Sequence, residues 1–85
     1  MVYVYLLISD RDGNFYTGST RDLKRRLQEH NSGKVSSTSK RLPLRLIYYE
    51  ACINEQDARA RENYLKSGME KRYLKNRLKK YLENL

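Results

Sequence analysis

Residues 2–8, Val-Tyr-Val-Tyr-Leu-Leu-Ile, are β-branched, aromatic or aliphatic without a break. Such a run predicts a strand. Asp10-Arg11-Asp12-Gly13 is a turn signal, with Gly13 free to take a positive φ. Residues 14–19 give a second short strand, and the two strands make a β-hairpin. Asp22 is placed to cap a helix that runs to about Asn31, with Gly33 just beyond it as a stop. The stretch 32–43 is rich in Ser, Thr, Lys and Arg and has no apolar period, so it reads as a loop. Loops of about a dozen residues are often functional or mobile. Residues 44–52 form a third strand. Asn54 caps a second helix that ends near Ser67-Gly68, where Gly68 suits the left-handed position after a helix. A third helix runs from about Glu70 to the end, with Leu74, Leu78, Tyr81, Leu82 and Leu85 as its apolar stripe. Its other face carries Arg72, Lys75, Asn76, Lys79 and Lys80. The order ββαβαα predicts an α+β fold, a small three-stranded antiparallel sheet flanked by three helices, in one domain over 1–85.

Composition narrows the function classes. A chain of 85 residues can build one small core. Its single cysteine excludes an intramolecular disulfide and fits a reducing compartment, so the expected location is the cytoplasm. No apolar run reaches spanning length, and the short apolar start lacks the basic region and cleavage site of a signal peptide. A membrane is therefore not an expected partner. Eighteen Lys and Arg against ten Asp and Glu leave a formal charge of +8, which predicts salt-sensitive attraction to polyanions. Eight tyrosines without a tryptophan add stacking faces with polar tips, as a nucleic-acid binder would use.

The two hairpin strands carry the first candidate chemistry. If residues 10–13 form the loop and Ser9 pairs with Asn14, Tyr5 lies opposite Gly18 and Tyr16 opposite Leu7. Tyr5 and Tyr16 are then diagonal neighbours on one face, roughly 7–8 Å apart at their bases. Gly18 leaves open space across from Tyr5. Taken alone, the pair is an ordinary cross-strand aromatic contact. The first helix changes this. Leu23, Arg26, Leu27 and His30 share its inward stripe, and two of the four are polar. Burying an unpaired charge is costly, so an inward Arg and His call for a polar pocket, a partner or a phosphate. On the second helix Glu62 shares a face with Ala58 and Leu65 and leans inward too. It reads either as half of a salt bridge or as a ligand for a hard cation such as Mg²⁺.

Tyr3-Val4-Tyr5, Tyr16-Thr17-Gly18, Arg26 and His30 on a helix, and Glu62 within Arg61-Glu62-Asn63-Tyr64-Leu65-Lys66 together resemble the GIY-YIG nuclease superfamily. The resemblance is nearest to its small stand-alone members, which are similar to the N-terminal nuclease domain of the UvrC-like excision-repair nuclease. It implies that Tyr5 and Tyr16 are the motif tyrosines, Gly18 the motif glycine, Arg26 the catalytic arginine, His30 the helix histidine and Glu62 the metal ligand. Asn76 is the candidate for a late site Asn. Tyr3 stands where the first motif has Gly, Thr17 where the second has Ile, and Ser19 where some relatives carry a basic phosphate contact.

The implied activity is metal-dependent endonucleolytic hydrolysis of nucleic acid, expected to be DNA, with one Mg²⁺ or Mn²⁺. A divalent ion on Glu62 would stabilise the leaving oxygen. Arg26 would hold phosphate oxygens, and a tyrosine, its pKa lowered by Arg26 and the metal, would orient or deprotonate water. Gly18, Ser19 and the loop cations Lys34, Lys40 and Arg41 are expected at the substrate's backbone, with Asn76 nearby. No separate sequence-reading module is visible, so specificity would come from nucleic-acid shape or a protein partner. The alternative is a catalytically silent nucleic-acid-binding module of the same fold.

Overall fold

Alternation along the first strand hands two sets of side chains to the two faces of a sheet, and each set finds a different partner. The computed structural model describes residues 1–67 and 70–84, with the backbone alone for 70–72. Its elements are β1 (Val2–Ser9), β2 (Phe15–Thr20), α1 (Leu23–Asn31), β3 (Leu44–Cys52), α2 (Glu55–Lys66), α3 (Glu70–Arg77) and α4 (Lys79–Glu83). The strands form one antiparallel sheet in the order β2-β1-β3. The α+β fold and the order ββαβαα are as the sequence predicts. The expected third helix is broken at Leu78 into α3 and α4, and Gly68 and Leu85 lie outside the described residues.

Val2, Val4 and Leu6 point to one face and are covered by Ala58 and Leu65 of α2 and Leu74 of α3. Tyr5 and Leu7 point to the other, where Leu44, Leu46, Leu42, Tyr16 and the α1 residues Leu23 and Leu27 gather round them. The central strand is thus buried on both sides, which explains its unbroken apolar sequence. A register shift against Leu6 and Leu7 brings both Ile47 and Tyr48 of β3 to the α2 face. There Arg61 locks α2 to the sheet. Its Nε donates to both Glu50 carboxylate oxygens at 2.9 and 3.0 Å, and its guanidinium lies over the Tyr64 and Tyr73 rings.

The caps are those the sequence marks. Asp22 accepts from the Arg25 N–H, and Asn54 from the N–H groups of Gln56 and Asp57. Gly13 and Gly33 take positive φ, at the hairpin turn and just after α1. The 32–43 loop is more ordered in its bonding than its composition predicts. Val35 and Thr38 are buried in it. Ser9, itself buried, donates to the Arg41 carbonyl at 2.6 Å and accepts from the N–H groups of Arg11 and Asp12. The loop ends in a cis Leu42-Pro43 peptide. No helix among the described residues is long and apolar enough to cross a membrane.

Candidate active site

The hairpin register places Tyr5 opposite Gly18 and Leu7 opposite Tyr16, as the loop count predicts. The space over Gly18 is not open, because the Tyr5 ring fills it. A Cβ built on Gly18 would stand 2.5 Å from the Tyr5 hydroxyl oxygen and 2.6 Å from its ring carbon Cζ. Glycine is therefore what allows Tyr5 to lie flat across the edge strand. Tyr16 packs beside it, ring centroids 6.5 Å apart, and the His30 ring meets both edge-on at 5.7 and 5.1 Å.

Polar atoms run in series through this cluster. Thr38 Oγ1 reaches the Val35 carbonyl at 3.5 Å, and with that contact as its donor bond His30 Nδ1 is assigned as the donor to Thr38 at 2.8 Å. Nε2 is left with a lone pair, which accepts from the Tyr5 hydroxyl at 2.8 Å. His30 is fully buried. Burial, with the nearby Arg26 charge, pushes its pKa down and keeps the ring neutral at physiological pH. Arg26 bears on the same Tyr5 hydroxyl and pairs with Glu29 at 3.2 Å. The expectation that positive charge lowers the tyrosine's pKa fails for Tyr5 in the protein alone. Burial raises it and outweighs the opposing hydrogen bond from Arg26.

Glu62 stands on the other side of β2. Ser19 points to the α2 face and donates to Glu62 Oε1 at 2.7 Å, while Lys66 Nζ pairs with Oε2 at 2.7 Å. Partial burial works to raise the Glu62 pKa, but the bonds from Lys66 and Ser19 outweigh it and hold the carboxylate ionised. The inward stripes of α1 and α2 thus meet the sheet from its two sides. Because α1 and α2 pack on opposite faces, the groups straddle the edge strand. Nor is the tyrosine face free of core: Tyr5 is 2% exposed and belongs to the apolar cluster on that side.

The remaining expected residues divide. Lys34 and Lys40 are exposed and form no ion pair among the described residues. Arg41 is committed elsewhere, its Nε donating to Asp12 at 2.8 Å and its second amine to the Phe15 carbonyl at 3.4 Å. It ties the loop to the hairpin. Asn76 is exposed on α3, which packs against α2 and α4, and no bond joins it to the Tyr5 cluster. A cleft of about 590 Å³ opens beside Tyr16 and is lined by Lys66 and Lys75. Among the described residues no three His, Cys, Asp or Glu side chains converge. A single carboxylate such as Glu62 would suit only a hard cation that keeps waters and takes phosphate oxygens.

Four partners escape sequence reading. Lys66 lies four residues after Glu62 and Glu29 three after Arg26, spacings that do predict pairing on a helix. Thr38 and Ser9 carry no such signal.

Similarity to known proteins follows the same residues. Residues 1–76 match the family model of the GIY-YIG catalytic domain. A UPF0213 protein of Lacticaseibacillus paracasei is 43% identical over 65 residues, 75% of this chain and 72% of that protein. One of Pediococcus acidilactici is 41% identical over 80 residues, covering 87% and 81%. The solution NMR structure of a UPF0213 protein from Bacillus halodurans superposes with a TM-score of 0.54 at 38% identity, covering 87% of this chain and 82% of that one. The chain therefore belongs to the GIY-YIG nuclease family and groups with its small UPF0213 proteins.

Proposed function

We propose that this protein is a metal-dependent endonuclease acting on DNA. The observation that carries the reading is the arrangement across β2. A neutral His30 accepts from Tyr5 beside Arg26 on one side, and an ionised Glu62 is held by Ser19 on the other. A lone structural salt bridge or aromatic pair needs neither feature.

Arg26 is more than a third exposed at its side chain and is the group placed to take a phosphate oxygen. As it turns to the phosphate, the Tyr5 oxygen is released to face the attacking water. Tyr5 takes the water's proton while its own proton passes to His30 Nε2, so a phenolate never has to form in a site that disfavours it. The water oxygen bonds to phosphorus as the phosphorus–ester oxygen bond breaks, and the leaving oxygen takes a proton from solvent. His30 acts only through Tyr5, whose hydroxyl lies between it and Arg26. Glu62 would hold a Mg²⁺ or Mn²⁺ ion, which would supply charge stabilisation for the phosphoryl group and leaving oxygen. Lys66 has to release Glu62 Oε2 for such an ion and remains a cation within the Tyr16 cleft.

The test is nicking of branched, single- and double-stranded DNA in Mn²⁺ or Mg²⁺, with EDTA as control. Arg26→Ala and Glu62→Ala are expected to lose at least about 100-fold in rate, the scale seen when one charge-stabilising group is removed. Their circular dichroism should be unchanged. Wild-type cutting by either pure variant refutes the assignment. Binding of every substrate without cutting by the wild type points instead to a silent binding module.

A further inference from the structure

A second recess lies on the α1 face, against the first turns of that helix, whose last turn carries His30. Tyr3, Leu46 and Tyr49 form its floor, Leu23 and Leu27 of α1 one wall, and Arg21 and Lys24 its basic rim. Its volume is about 590 Å³, inside the range of about 300–1,000 Å³ that small-ligand sites occupy. Tyr49 is 53% exposed, high for an aromatic on the face of a sheet. Its ring meets Tyr3 at 6.1 Å and 63°, so the two make an angled corner with ring surface turned outward. Tyr49 is also the β3 partner of Tyr5, which puts the recess directly beside the catalytic cluster.

We infer that this recess is a stacking site for one unpaired nucleobase next to the phosphate being cut, which makes the substrate a strand with unpaired bases. Tyr3 and Tyr5 are two residues apart on β1, about 7 Å at strand spacing. That distance is one to two nucleotides at about 3.4 Å each. A base with its face exposed stacks on an aromatic ring, whereas a base inside a duplex has both faces covered. The rim supplies charge for the flanking phosphates. Arg21 is exposed even while pairing with Glu55 at 2.8 Å, and Lys24 is exposed beside it. The one acid at the recess, Asp22, is turned to the Arg25 N–H as the helix cap. Tyr3 stands where the family's first motif has glycine, which could not form this corner.

The inference takes from the proposed function only that the ligand is nucleic acid, and its test runs without cleavage. A short fluorescein-labelled oligothymidylate and a blunt duplex of equal length are titrated with the full chain in EDTA, following anisotropy. Tyr49→Ala should weaken the oligothymidylate about 5- to 150-fold, the loss of one stacked base. Duplex affinity, carried by phosphate contacts, should stay within about twofold. Tyr49→Phe, which keeps the ring face, should bind the oligothymidylate as the wild type does. Unchanged binding by Tyr49→Ala, equal loss on both nucleic acids, or a loss in Tyr49→Phe as large as in Tyr49→Ala overturns the stacking site. A wild type that binds neither nucleic acid at low salt overturns the nucleic-acid reading itself, a separate outcome.

Discussion

Tyr5 Oη occupies the position that a methyl group on residue 18 would need. Gly18→Ala must therefore push the Tyr5 ring away from β2, and the ring cannot move without stretching its 2.8 Å bond to His30. Overpacking of this kind costs about 1–3 kcal/mol. A domain of this size should lose roughly 4–8 °C in Tm for each kcal/mol. Gly18→Ala should thus be less stable in thermal melts and slower in cutting, with Tyr5 as the common cause. A variant that melts and cuts like the wild type would show that Tyr5 does not lie across Gly18. At this scale the sequence was partly legible. Counting the hairpin loop is enough to pair Tyr5 with Gly18, because register fixes every pair once one is known. That the facing space is filled by Tyr5 is not readable, since it depends on a side-chain rotamer. Thr38, which sets the His30 tautomer, sits in a loop with no period to single it out.

Elements were easier to read than their sides. Strand runs, caps and the alternation of β1 locate nearly every element to within a residue or two. The inward lean of Glu62 is also correct, since it shares a face with Ala58 and Leu65. What a helical wheel lacks is which face of the sheet a helix covers, and so it does not show that Glu62 stands across β2 from Arg26. The join between α1 and β3 was equally hidden. Asn31, the last residue of α1, donates from Nδ2 to the Leu44 carbonyl at 3.0 Å and accepts from the Leu44 N–H at 2.9 Å. It completes the backbone bonding of the start of β3, where Leu44 is buried. Asn31→Ala leaves both groups without partners, a cost of about 1–3 kcal/mol. The expected result is a lower urea midpoint together with faster amide exchange at Leu44. Unchanged exchange at Leu44 would mean that another group takes over the bond and that Asn31 does not fasten α1 to the sheet.

Over the described residues most ion pairs are made by arginines. Asp10, Asp12, Glu29, Glu50 and Glu55 are all paired with arginines, and among the described residues only Glu62 is paired with a lysine. Arginine's fork suits such fixed pairs, while a lysine is a mobile point charge. Lys24, Lys34, Lys40, Lys75, Lys79 and Lys80 are exposed and form no ion pair among the described residues, so much of the +8 excess rests on lysines. This division separates two cations that composition treats alike. Lys34 and Lys40 should act only through phosphate contact. Lys34→Gln and Lys40→Gln should each lower the slope of log K against log salt for DNA binding by about one, weakening all sequences alike. Their urea midpoints should not change. Arg41→Gln should do the reverse, because its guanidinium holds Asp12 and the Phe15 carbonyl. It should lower stability and leave the salt slope in place. If Arg41→Gln instead matches the lysine variants in slope at full stability, Arg41 is a phosphate contact after all, and Ser9 and Thr38 hold the loop without it.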